Sequence, residues 1–371
     1  MKRWGSVVAV VTMMGALVVT ASPASAAGPH SWEVKPGVGT ISAAVAAASP
    51  GDTLRLDAGT FFDSAFIGKP LTIRGEGDET VIKPPPTFNA ANPCNTAADP
   101  TTHPPTPEQV EGLCVAGQVD GQGNPVLSNP VHDVEIVDLR TTGFSDSGVI
   151  GFNTAGLRVH EVRSDHNNGY GIARFASTGS TFSYNWVSDN GEAGLYMGDS
   201  PHAASTVRGN LADHNGFGIF LRDSTEILAT DNAVWGNCVG ILALNTGQGG
   251  TGPTGAGSHT IKENLVTAND AACPAGDGPP TSGIGIALVG VQGTVVKDNE
   301  VRNNQASGPS LASGGIVLHS GQASPPTNNV IRENRLRNNL PADIVWDNTG
   351  TGNVVNDNNC HSAIPNNLGW C

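Results

Sequence analysis

Lysine, glutamate and leucine are scarce in this sequence, whereas glycine, at 48 residues, and asparagine recur throughout. That balance argues against a helical protein and for a chain of many turns. Long apolar runs are also missing. The one uncharged apolar stretch, Val7 to about Val19, follows Met1-Lys2-Arg3 and precedes Ala24-Ser25-Ala26, the order of a secretory signal peptide. It is too short for a stable span, and nothing else approaches the ~20 apolar residues that a membrane-spanning helix needs. Residues 1–26 are therefore set apart as a signal peptide, and the mature chain is expected to be secreted, soluble and not membrane-bound.

Positive charge is short as well. The chain has 19 Lys and Arg against 33 Asp and Glu, and without Lys2 and Arg3 the net charge is −16. Such a field repels nucleic acid and anionic membranes. It also disfavours a polyanionic polysaccharide unless a cation or a local basic cleft intervenes. No CxxC or Cys-His spacing suggests a metal site. The six cysteines form an even set in an exported chain, so disulfides are expected. The sequence permits any pairing of the six; neighbours in sequence are the expected partners, Cys94 with Cys114, Cys238 with Cys273 and Cys360 with Cys371.

A six-residue unit bounded by Asn recurs with constant internal spacing: Asn185 to Asn190, Asn210 to Asn215, Asn232 to Asn237, Asn264 to Asn269, Asn299 to Asn304 and Asn334 to Asn339. Each is followed by Gly or Asp and an aliphatic residue, as at Gly194-Leu195 or Asp343-Ile344. Gly171, Gly194, Gly218 and Gly240 stand 23, 24 and 22 residues apart. That period has room for three short strands and three turns, and too little for two helices. Stacked coils pair each strand in parallel with its equivalent at ~4.8 Å, so Asn falls on Asn and aliphatic on aliphatic. The expected fold is an all-β, right-handed parallel β-helix of about nine to ten coils. The Asn columns are its structural ladders. A third polar column, Asn153-Thr154, Asp199-Ser200, Asp223-Ser224 and Asn245-Thr246, supports the same register.

Residues 27–371 thus read as one β-helix domain. Residues 27–83 hold the cap and first coils, with a short amphipathic helix over 38–49. A Pro-rich insertion occupies 84–130, the repeat coils 131–358 and a C-terminal cap 359–371, because open sheet ends invite aggregation. The segments SPGDTLRL (49–56), AGTF (58–61), KPLTIRGEG (69–77) and TVI (80–82) resemble the opening of secreted β-helix proteins of the pectate-lyase-like class. The coils from 131 to 358 resemble the repeats of the family that includes the copper-maturation protein of nitrous oxide reductase. The resemblance implies this fold and, first among ligands, carbohydrate.

The catalytic signatures of that class are missing. Asn-Thr-Asp, Asp-Asp, Gly-His-Gly and Arg-Ile-Lys do not occur in successive coils, nor does Arg-x-Pro-x-x-Arg. Ser164-Asp165-His166-Asn167 is a faint echo of the Asp-Pro-His-Asp of alginate epimerases. No His, Met or Cys cluster suits copper handling. The fold hosts lyases, hydrolases, epimerases and binders alike, so it does not choose among them.

The residues after the first Asn, Trp186, Leu211, Ala233 and Leu265, alternate with the inward column Val187, Ala212, Val234 and Val266, so they face outward. The same coils bring Asp165, Asp189, Asp213 and His214 together as candidate acid and base groups, with Trp186, Trp235, Tyr170 and Tyr196 to stack on sugars and Arg174 and Arg222 as the nearest cations. Asp165 and Asp189 lie ~5 Å apart if they occupy adjacent coils and one register, or ~10 Å if two coils separate the acting pair. The register of Asp165 is uncertain by one residue, and both distances stand. Such proximity is expected to raise one carboxyl pKa. Short acids before a Gly turn also occur for turn chemistry alone. Charge ladders of Lys262, Lys297 and Arg332 beside Glu263, Asp298 and Glu333 read as a solvated lattice. Loops 246–258, 270–282, 305–313 and 321–326 lengthen later coils, and those leaving after the second Asn could wall a groove beside the acids. The expected function is binding, and acid/base hydrolysis or elimination, of a polysaccharide or cell-surface glycan by a monomer. A non-catalytic extracellular binding or scaffold module is the alternative. No cofactor is read from the sequence, and whether calcium assists is left open.

Overall fold

A computed structural model of the chain describes residues 28–98, 101, 107–118, 126, 128–248, 255–276, 278–366 and 369–371. The expected signal peptide lies outside the described residues. Nearly all regular structure is parallel β, wound into stacked rungs of three strands. We name the sheets by their order within a rung. Sheet A carries strands such as Thr181–Ser183 and Ser205–Arg208, sheet B Trp186–Ser188 and Leu211–Asp213, and sheet C Ala193–Ser200 and Phe217–Ser224. Glu135–Thr142 and Arg158–Asp165 run unbroken around the corner from A to B and so join those two sheets. Sheet C holds eleven strands, from Ala65–Ile67 to Ala363–Ile364. These reach beyond the nine to ten coils counted from the sequence because the terminal rungs carry no Asn hexad.

The strands are short because each rung must turn three times within its period. One residue in the left-handed region makes the A-to-B bend, and another makes the B-to-C bend. At the second bend these are His166, Asp189, His214, Gly236, Ala268, Asn303 and Asn338, with φ between 51° and 67°. That conformation is uncommon outside Gly, Asn, Asp and His, which accounts for most of the residue types found there. Backbone groups turned inward at each bend need partners, and the Asn that follows supplies them. Asn210 donates from its backbone N and from Nδ2 to Asn232 Oδ1, at 3.0 and 2.9 Å, and Asn232 does the same to Asn264. Each Nδ2 also donates to a strand carbonyl of the preceding rung, as Asn232 does to Val207 O at 3.1 Å. The second ladder runs from Asn167 through Asn190, Asn215, Asn237, Asn269 and Asn304 to Asn339, and ends on Asp343.

Inside the rungs a continuous apolar core runs from Val34 to Val355. The helix Thr40–Ala47 closes the first rung with Ile41 and Val45. At the other end Trp370 packs on that core, its ring 5.6 Å from Trp346, tethered by Cys360–Cys371. The remaining disulfides are Cys94–Cys114 and Cys238–Cys273, so all three join the expected partners. Among the described residues no helix is long and apolar enough to cross a membrane.

Where the insertion rejoins the rod, the carboxylate of Glu111 is buried and accepts from Ser147 N at 2.8 Å. Burial, with Asp146 nearby, pushes Glu111 up to about 8. The folded pKa lies above the unfolded one, so the associated stability is full at low pH and is lost as pH rises through about 8. Two outcomes follow. Asn232→Ala, which strips partners from Asn210 and Val207, is expected to cost about 3 kcal/mol, read as a lower urea midpoint at unchanged slope; a midpoint like that of the parent would contradict the ladder's role. Glu111→Gln is expected to flatten the decline in stability between about pH 5 and 8, a slope of at most about 1.4 kcal/mol per unit from this group, measured by thermal melts across that range.

Candidate functional site

The outer face of sheet B is built from positions that alternate with the buried column Ser164, Val187, Ala212 and Val234. Its first outward column runs Val81, Arg140, Arg163, Trp186, Leu211 and Ala233. Its second runs Thr142, Asp165, Ser188, Asp213 and Trp235. The bend after it carries His166, Asp189 and His214. Asp165 therefore aligns with Ser188 and not with Asp189, which corrects the adjacent-coil pairing. The one-residue uncertainty in this coil is resolved by the ladder, which takes Asn167 and not Asn168, through Nδ2 to Asn190 Oδ1 at 2.9 Å. Asp165 and Asp213 stand two rungs apart, roughly 10 Å, and Asp189 is an exposed bend residue between the two imidazoles.

Asp165 is not poised as an acid. Asp165 is fully buried; it accepts from Arg140 at 3.0 and 2.8 Å, from Arg163 Nε at 2.6 Å and from Thr142 Oγ1 at 2.6 Å. Burial by itself would raise its pKa, but the two guanidiniums and the hydroxyl outweigh it and hold Asp165 down at about 2. The expected raised carboxyl is thus absent at this position. Asp213 receives Trp186 Nε1 on one oxygen at 2.8 Å and faces His214 Nδ1 with the other at 2.8 Å. Asp165 likewise faces His166 Nδ1 at 3.2 Å. A carboxylate on Nδ1 orients the ring and turns Nε2 outward. Both imidazoles are well over half exposed.

Arg163 lies 4.2 Å from the centre of the Trp186 ring, a cation–π contact. Arg140, Asp165, Arg163, Trp186, Asp213 and His214 therefore form one connected network. At its N-terminal end a cleft of about 550 Å³ is lined by Thr60, Lys83, Arg140, Thr142 and His166, among others. Lys83 and Arg140 make it locally basic on a strongly acidic chain. His166, Lys83, Arg140 and Arg163 escaped the sequence reading as site residues. A usable signal was present in the tripeptide Asp-His-Asn, which occurs at 165–167 and again at 213–215.

The remaining candidates lie elsewhere. Tyr170, Tyr196 and Arg222 belong to the outer side of sheet C, around the corner from the acids. There Tyr196 packs 4.6 Å from Tyr170, 4.7 Å from Phe175 and 5.3 Å from Phe220, within an apolar cluster that Cys94 and Ala312 partly cover. Tyr196 is fully buried, its ring lying over the bare backbone of Gly198, so it cannot stack on a sugar. Arg174 is also fully buried: it pairs in register with Gly151 and Met197 and points into the rod, so it cannot bind substrate. Trp235 is half-buried on sheet B beside Asp213. The loop at 305–313 passes over sheet C through Ala312, not over the acids, because its departure point is the B-to-C corner. Among the described residues no group of His, Cys, Asp or Glu is arranged to hold a metal ion.

A family described as right handed beta helix region matches residues 118–251. No curated protein matches the sequence. Among solved structures, the A-module of an Azotobacter vinelandii mannuronan C-5 epimerase superposes with a TM-score of 0.62 at 18% identity, covering 85% of this chain and 88% of that one. An alginate lyase from Paenibacillus gives 0.55 at 13%, covering 86% and 99%. A family 28 exopolygalacturonase of Yersinia enterocolitica gives 0.52 at 13%, covering 90% and 76%. The fold is a right-handed parallel β-helix. At these identities the likeness is one of fold.

The Asp165 network makes a direct prediction. Asp165→Ala leaves Arg140 and Arg163 without their shared anion and is expected to cost about 3–5 kcal/mol, measured by denaturant unfolding. Because the folded pKa lies below the unfolded one, the parent's advantage over the variant should hold above about pH 4 and vanish as pH falls through about 2. A variant as stable as the parent at neutral pH would show that the network contributes nothing.

Proposed function

We propose that this is an exported protein that binds an acidic polysaccharide along the outer face of sheet B and acts on it by proton abstraction. One observation carries the reading: His166, beside Asp165, opens onto a cleft whose charged walls are Lys83 and Arg140. Cations beside a uronate carboxylate neutralise it and acidify the adjacent carbon, and an imidazole Nε2 at that carbon is suited to remove the proton. Loss of the 4-O substituent then gives elimination. Hydrolysis is less well served, because Asp165 is pinned as an anion and both oxygens of Asp213 are engaged. Trp186 and Leu211, each about two-fifths exposed, continue the face as a stacking surface toward His214 and Trp235. Three neighbours in fold bear names of enzymes that act on mannuronan, alginate or polygalacturonate, which agrees with a uronate ligand.

The test is incubation of the mature protein with uronate and neutral polysaccharides, with and without calcium, followed by absorbance of unsaturated products and by reducing-end release. His166→Ala is expected to lower turnover at least about a hundredfold with an unchanged melting temperature. Retained activity in that variant would overturn the site. Binding to glycans without any product, indifferent to His166→Ala and His214→Ala, would favour a non-catalytic binding module.

A further inference from the structure

Sheet B continues past Trp235 in unbroken register. Its first outward column runs on from Ala233 through Leu265 to Glu300 and Arg335, and its second from Trp235 through Thr267 to Arg302 and Arg337. The last two strands of the sheet, Glu300–Arg302 and Arg335–Arg337, therefore gather three arginines around one carboxylate. Arg337 Nη2 donates to Glu300 Oε1 at 3.3 Å, and Arg302 Nε lies 3.0 Å from the same oxygen. Arg335 is exposed, and among the described residues it forms no ion pair.

Neither edge of the sheet cancels this charge. The B-to-C bends beside these strands are Gly236, Ala268, Asn303 and Asn338, none of them acidic. The A-to-B bends are acidic, but Glu263, Asp298 and Glu333 each pair with the cation before them on sheet A, Lys262, Lys297 and Arg332. Three guanidiniums against one carboxylate leave a surplus of two positive charges, on a chain whose net charge is −14. This patch and the basic cleft at His166 are the two cationic ends of one face. From Asp165 the second column reaches Arg302 in five steps and Arg337 in six, a run of roughly 24 to 29 Å at ~4.8 Å per strand. Trp186, Leu211, Trp235 and Leu265 line the stretch between, with Asp189 as its one exposed acid.

We propose that Arg302, Arg335 and Arg337 form a distal subsite for uronate carboxylates of the same chain whose reacting residue lies at His166. This rests on the function proposed above for the sheet B face and sets the length of its ligand. A pyranose unit is comparable in length to one strand spacing, so a chain that reaches both ends has about six residues or more. Arginine suits the task, because its planar fork meets a carboxylate with two parallel hydrogen bonds. A neutral polysaccharide offers these side chains no anion, and a short oligouronate held at His166 stops before them.

The test is calorimetric titration of size-fractionated oligouronates and polyuronate into His166→Ala, which keeps the ligand intact, with and without Arg302→Gln/Arg335→Gln/Arg337→Gln. The loss of affinity caused by the triple substitution is expected to grow with chain length, from near unity for a trimer to at least about tenfold beyond about eight residues. Arg335→Gln alone, at an exposed side chain, should show the same trend at smaller amplitude, and Glu300→Gln should tighten binding of the long chains. A loss equal at every length would assign the effect to the general field or the fold and overturn the subsite, as would long chains bound alike with and without the arginines. Length-dependent binding by protein with His166 intact that yields no unsaturated product would sink the reaction and leave the subsite standing. Absence of polyuronate binding at any length would overturn both.

Discussion

The stacking of one asparagine amide on the next is the interaction on which this molecule rests. Each bend between strands turns backbone N–H and C=O groups toward an interior that offers no water, and leaving them unpaired would cost more than short strands can recover. The amide satisfies three such demands at once, donating to the next Asn and to a strand carbonyl while accepting from the Asn before it. Only a side chain with both a donor and an acceptor can do this in series. Where the series stops, Asp343 supplies an acceptor for Asn339 and receives His361 N at 2.9 Å, so the ladder terminates on a group that need not donate onward.

Because the ladders fix the stacking, they also decide what stands beside what on the outside. Asp165 and Asp213 reach the same outward column, and the bend that follows each of them presents an imidazole. The acids thereby become the rigid partners of Arg140, Arg163, Trp186 and the two histidines, while the exposed polar edges are imidazole nitrogens. A buried carboxylate that is fully hydrogen-bonded serves better to orient a neighbour than to exchange a proton.

Three buried ionisable groups show three ways of meeting the cost of burial. Asp165 stays ionised because two guanidiniums compensate it. Glu111 has no cation and is driven toward its neutral form. Arg174 keeps its proton at neutral pH, hydrogen-bonds only to neutral oxygens and feels the Asp199 carboxylate through space. The first arrangement shapes the candidate site, and the second couples the insertion to pH.

The constant Asn spacing, the Gly-aliphatic markers and the polar corner column determine coil, register and inward face for residues 185–339 from sequence alone, since each depends on a short repeat read in one dimension. The cap at Thr40–Ala47 and the pairing of near cysteines are legible for a similar reason, being local. What only the tertiary structure decided lies at corners and in single rungs. The choice of Asn167 over Asn168 rests on contact with Asn190 in another coil. Arg174 turns inward because Gly151 beneath it is small, and Tyr196 is lost to the core because Gly198 lets its ring lie flat. The distribution of Asp165, Trp186 and His214 on one face and Tyr170 and Arg222 on another depends on which side of a bend each falls. Repetition encodes the stack, but the departures from it take their meaning from neighbours one rung away.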